Sequence, residues 1–216
     1  MTEQRTERRA SRSERIDALT DGVFAIAATL LVLEVRVPVL AAGHSTNDLW
    51  PSLLEVAPSF VAFAFSFLTI LVYWLNHHAL SRVIVRYPYR LVWLNLLLLF
   101  WISMIPFTTK FISEYPREPA AAFVYGLVTF LTGATALLAY CYAAFWSDAM
   151  STHVGHEARV RLLRKWLPGP ALYLVAMAAT FVNVNIAVAI YIVVPMLFFV
   201  PTLQERVFED LHLDDE

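Results

Sequence analysis

An all-α membrane protein that crosses the bilayer six times per chain is the fold class predicted by three observations. Hydrophobic residues make up 59% of the 216 positions and charged residues only 16%, a balance typical of membrane proteins and unlike that of soluble domains. Ala57 to Asn76, Leu91 to Thr109 and Pro119 to Ser147 contain no Asp, Glu, Lys or Arg, and each is long enough to cross a bilayer as a helix. The 16 Lys and Arg residues are also sorted along the chain: 13 fall on one side of the predicted spans and three on the other. Basic loops stay cytoplasmic, so both termini are expected inside, which requires an even number of spans.

Residues 1–14 are polar, with Arg5, Arg8, Arg9 and Arg12, and read as a mobile cytoplasmic arm attracted to anionic lipid. The first apolar helix follows, with Arg15, Asp17 and Asp21 leading into it and Glu34 closing it. Only twelve uncharged residues separate Asp21 from Glu34. That is about 18 Å of helix, short of the roughly 30 Å apolar slab, so its carboxylates sit at or inside the membrane. Charges there are costly and face a protein interior or a wet path. Pro38 is expected to end this helix, and His44 to Trp50 to form a short outer loop.

The second and third spans are joined through Arg82, Arg86 and Arg90, and the fourth and fifth through a connection in which Glu157 and Arg159 to Lys165 read as an amphipathic surface helix. The 36 uncharged residues from Pro168 to Leu203 would make one helix of about 54 Å, so they are expected to fold back as two spans around Asn183-Val184-Asn185. Trp50, Trp74, Trp93, Trp146 and Trp166 fall near predicted helix ends, as interfacial anchors do. The domain layout is thus an arm over 1–14, a six-helix membrane domain over 15–203 and an acidic cytoplasmic tail over 204–216. The net charge of −2 gives no footprint for nucleic acid, and a single cysteine, Cys141, excludes an intrachain disulfide. Neither a nucleophile with its base nor a phosphate loop occurs, so an enzyme is disfavoured and no cofactor is implied. The carbonyl-filter sequence T-V-G-Y-G is absent as well.

At about 100° per residue, Arg15, Leu19, Gly22, Ile26, Leu30 and Leu33 share one stripe of the first helix, with Thr29 on its flank, while Asp17 and Asp21 point the other way. Facing a symmetry axis, the stripe would give successive apolar rings at Ile26, Leu30 and Leu33. The small residues Ala18, Gly22, Ala25 and Ala28 would then permit close helix approach. Spacing alone equally describes an ordinary helix packed by its aliphatic stripe, and by itself favours that plainer reading. At the inner end of the second span, Tyr73-Trp74-Leu75-Asn76-His77-His78 puts two histidines about 100° apart, an arrangement that does not suit a shared metal. Their depth matches that of Asp21, which predicts an Asp21 to histidine contact. Asn95 and Pro106 add polar and kinking features to the third span.

These residues resemble the prokaryotic branch of the transmembrane protein 175 potassium channels, marked by R-x-x-x-F-S-D at the start of the first helix and read here as Arg15-Ile-Asp-Ala-Leu19-Thr20-Asp21. The similarity continues through Trp74, His77-His78, Asn95, Pro106-Phe107 and the six-span layout. The resemblance implies a homotetrameric, potassium-permeable channel of the plasma membrane, with first helices around the axis and an apolar gate at Ile26, Leu30 and Leu33. It assigns Thr29 to potassium preference and Arg15, Asp21, Trp74, His77 and Asn95 to a structural network. Leu19 and Thr20 replace the family's Phe and Ser, and Thr keeps the hydroxyl. Potassium is then the permeating ion, and membrane lipid and further copies of the chain are the partners. Two other classes fit the same residues. One is a proton-conducting or proton-coupled carrier relaying through Asp21, His77, His78 and Glu34; the other is a non-conducting sensor or assembly protein.

Overall fold

The computed structural model describes residues 2–35, 37–38 and 49–199, with side chains from residue 14 onward. Among these residues the chain is helical, in the order α1 (Thr2–Leu30), α2 (Leu49–Glu55), α3 (Ala57–Val83), α4 (Tyr89–Glu114), α5 (Pro119–Phe145), α6 (His156–Trp166), α7 (Pro168–Ala179) and α8 (Val184–Phe199). The helix begins at Thr2, so residues 2–14 are helical and run on into α1, as their Glu, Arg and Ala content favours. α1 also ends before Pro38. After Leu30 it tightens into a 3-10 turn over Leu31–Glu34, and Val35 is already extended, a conformation that suits a β-branched residue. The expected loop at 44–48 and the acidic tail at 204–216 lie outside the described residues; Leu49 and Trp50 open α2.

Four segments are long and apolar enough to span a membrane: Glu14–Glu34, Ala57–Val83, Tyr89–Glu114 and Pro119–Phe145. The chain is therefore a multi-pass membrane protein. Proline sets several helix starts, at N1 or N2 of α3, α5 and α7, where its missing N–H costs nothing. The long uncharged run divides as its length requires. α7 and α8 pack against each other across a break at residues 180–183, and Asn183 caps α8 by accepting the Asn185 amide through Oδ1 at 2.9 Å.

Four apolar clusters hold the helices among the described residues, two of them in the membrane-spanning bundle beside α1, α7 and α8. One joins Phe24, Ala27, Ala28 and Leu31 of α1 to Ile70, Leu98, Leu99, Ile102 and Ile105. The second packs α3 and α5 on α7 and α8 through Phe65, Ala122, Tyr125, Tyr173, Ala176, Ala187 and Tyr191. Alanines let the backbones approach, and the buried tyrosine hydroxyls all find partners, Tyr125 at Ser66 and Tyr191 at the Ala122 carbonyl, 3.2 and 3.0 Å away. Gly126 marks the closest approach, since a Cβ there would overlap the Tyr191 hydroxyl. Gly126→Ala is expected to cost about 1–3 kcal/mol through overpacking, read as a lower Tm of the detergent-solubilised protein.

α6 is the amphipathic helix expected, burying Ala158 and Leu162. The Arg159 side chain donates to the carbonyls of Val154 at 2.8 Å, Ser151 at 3.0 Å and Ala144, tying the α5–α6 connection to its own helix. That connection bridges the α3–α4 connection through Ile84 and Met150. Arg159→Met leaves three carbonyls without their charge-assisted donor, and at about 1.5 kcal/mol or more for each bond lost it should be the most destabilising surface change, again measured as Tm.

Candidate functional site along the first helix

Burial divides α1 into two faces. Thr20, Phe24, Ala27, Ala28 and Leu31 are buried against α3 and α4. Leu19, Ile26, Leu30 and Leu33 are 51%, 60%, 44% and 74% exposed, and Ala18, Gly22 and Ala25 between them are open as well. The aliphatic stripe is therefore not what packs this helix within the chain. A Cβ added at Gly22 would meet nothing within 4 Å, so the open face is a smooth strip of small and branched residues. Thr29 lies on it, its hydroxyl donating back to the Ala25 and Ile26 carbonyls at 2.9 and 3.0 Å.

The buried face carries a directed polar chain near the N-terminal end of the membrane segment. Asn95, 5% exposed, donates from Nδ2 to Thr20 Oγ1 at 2.9 Å, and Thr20 donates on to the Ile16 carbonyl at 2.8 Å. Asn95 Oδ1 sits 2.9 Å from His77 Nε2, and because an amide oxygen only accepts, Nε2 carries the proton. The Asp21 contact predicted for a histidine is made instead by Trp74, whose indole N–H donates to Oδ1 at 2.9 Å. His78 turns away, stacked on Trp74 with centroids 5.3 Å apart and accepting from Arg82, so the two histidines diverge as their spacing required. Thus Thr20, Asp21, Trp74, His77 and Asn95 are brought together. Arg15 is not: it is exposed and makes no hydrogen bond or ion pair among the described residues. It shares the open face with Leu19.

One member of the site has no sequence signal. Tyr87, between α3 and α4, donates to Asp17 Oδ1 at 2.8 Å. Burial, with the adjacent Asp17 adding to it, pushes the tyrosine hydroxyl far above its ordinary pKa, so it remains a donor at any physiological pH. Nothing in the spacing of Tyr87 points to a partner 70 residues earlier. At the other end of the segment, Glu34 pairs with Lys110 at 3.0 Å. Of the residues named for a proton relay, Asp21 contacts Trp74, His77 contacts Asn95, His78 contacts Arg82 and Glu34 contacts Lys110, with Asp21 and Glu34 at opposite ends of the segment.

Similarity to known proteins agrees with this geometry. The family model described as "Endosomal/lysosomal potassium channel TMEM175" matches residues 15–106, the segment that contains α1 from Arg15 onward and the whole polar chain. A protein of Chamaesiphon minutus named as a potassium channel is 35% identical over 194 residues, covering 87% of this chain and 94% of the relative. A protein of a Chryseobacterium species with the same designation is 30% identical over 192 residues, covering 87% and 92%. Among solved structures, the crystal structure of a lysosomal potassium-selective channel TMEM175 homolog from Chamaesiphon minutus superposes with a TM-score of 0.78 at 34% identity, over 89% of this chain and 98% of that one. With a relative matched over almost its full length and the polar chain of α1, α3 and α4 inside the matched segment, this chain belongs to the TMEM175 family.

Proposed function

We propose that this protein is a potassium-permeable channel of the plasma membrane, a homotetramer in which four copies of α1 surround the conduction axis. One observation carries the reading: α1 packs into its own subunit by Thr20, Phe24, Ala27 and Leu31 and leaves Ile26, Leu30 and Leu33 uncovered. A continuous aliphatic strip with small residues at Ala18, Gly22 and Ala25 suits close approach between copies of the same helix. Ile26, Leu30 and Leu33 then form stacked apolar rings that gate conduction by dewetting, and Thr29 supplies a hydroxyl flank that biases the pore toward potassium. The Thr20, Asp21, Trp74, His77 and Asn95 contacts fix the rotation of α1 and contact no ion. α7 and α8 serve as the fifth and sixth spans, leaving both termini cytoplasmic, and the relatives named as potassium channels support the choice of ion.

The test is flux from potassium-loaded liposomes together with native mass spectrometry of the same preparation. Potassium efflux above that of protein-free vesicles, from a species of four chains, is the expected result. Folded protein that is monomeric or passes no potassium would overturn the proposal.

A further inference from the structure

A cleft of about 70 Å³ opens between α3, α4, α5, α7 and α8 at the basic end of the molecule. Its walls are mainly apolar, and the polar groups on them are largely satisfied: Tyr73 donates to the Thr129 carbonyl, and Asn95 pairs with His77 and Thr20. Trp166 is the exception. Its Nε1 is buried in the wall with no hydrogen-bond partner among the described residues, an unfavourable situation unless an acceptor arrives. The cleft is about half the size of the roughly 150 Å³ void that accommodates benzene. It therefore suits the ends of one or two side chains rather than a larger molecule.

Three observations identify the occupant. Val194, Pro195 and Phe198 in the last turns of α8 form one wall, and Phe198 lies against Gly169 at the start of α7, so the last described turn of α8 lies at the cleft itself. Charge is complementary. Residues 82–90 and 147–167 carry seven basic and two acidic side chains, whereas residues 204–216 carry six acidic side chains against Arg206. Finally, Leu203, Val207 and Leu211 recur every four residues with Phe208 beside them, the spacing of an apolar helical stripe.

We propose that the acidic segment 204–216 docks back on this end of its own chain. Its Val207 side chain enters the cleft, Phe208 lies across the mouth, an oxygen of the segment accepts the Trp166 Nε1 proton, and its carboxylates face the basic surface of α6. Since His77 and Asn95 form the inner wall, the docked segment braces the contacts that fix α1 and regulates conduction. The regulatory step rests on the channel reading; the docking does not.

The experiment places photoreactive benzoylphenylalanine at Phe208 of the full chain in liposomes, with the same group at Trp50 as a control, and maps the cross-linked peptides. Cross-links from position 208 to residues 76–84, 166–173 or 194–199 are expected. They should fall several-fold with Arg164→Glu and at roughly 1 M salt, where the screening length shrinks to about 3 Å. Cross-links to phospholipid alone, or none, would overturn the docking. For the regulatory step, a chain ending at Leu203 should change potassium flux several-fold at equal incorporation. Unchanged flux despite cross-linking would overturn regulation alone, whereas a full chain that passes no potassium would count against the channel and leave the docking standing.

Discussion

Liposomes carrying Ile26→Asn should release potassium about tenfold faster than those carrying the native chain, and should discriminate less against sodium. Ile26 is the most exposed residue at the middle of the α1 strip, at 60%. In the proposed ring of four, its side chains offer an ion dispersion contacts but no ligands. An ion crossing such a ring is stripped of hydration with nothing to replace it, and a constriction of this kind stays closed by expelling water. Asparagine is close to isoleucine in size but brings a donor and an acceptor, which retain water and lower the barrier. A reduction of about 1.4 kcal/mol corresponds to the tenfold change. Val175→Thr, on the exposed side of α7, adds polarity at a position away from α1 and should leave flux unchanged. If Ile26→Asn were folded, tetrameric and indistinguishable from native, the narrowest point would lie elsewhere on the helix and Leu30 would be the next position to change.

Asn95→Leu should abolish most flux and lower stability by about 3 kcal/mol, whereas Asp21→Asn should be nearly silent. Asn95 serves two helices at once, accepting from His77 of α3 and donating to Thr20 of α1. Leucine fills the same buried space but leaves the His77 N–H and the Thr20 oxygen without partners, at about 1–3 kcal/mol for each buried group left unmatched. It also frees α1 to rotate. Asp21 needs only to accept the Trp74 indole proton, and the carboxamide oxygen of asparagine does that equally well. The pair of variants separates two mechanisms. A channel whose Asp21 is structural tolerates the neutral side chain, while a carrier that moves protons through Asp21 loses transport on its removal. Flux and Tm measured on both variants decide between them, and a dead Asp21→Asn protein with native Tm would sink the structural role.

Much of the site was legible because helix geometry is local. The stripe of Leu19, Ile26, Leu30 and Leu33 follows from 3.6 residues per turn, and the divergence of His77 and His78 follows from their adjacency. The break in the long uncharged run followed from bilayer thickness alone. The contact of Asp21 was wrong in its partner though right in its depth. Trp74 and His77 lie three residues apart on the same face of α3, and only the rotation of that helix against α1 chooses between them.

The sequence by itself determined where four membrane-spanning segments lie, which end is basic, and which residues of α1 share a face, since composition and helical period need no knowledge of the rest of the chain. The tertiary structure decided which of the two faces of α1 is buried, that Arg15 stands outside the polar chain, and that Tyr87 reaches Asp17 from 70 residues away. It also decided that Arg159 spends its charge on three carbonyls of its own connection. Those outcomes depend on how distant helices cross and rotate against one another, which is set by the summed packing of Phe24, Leu31, Ile70, Ile102 and their neighbours and is written in no single stretch of residues.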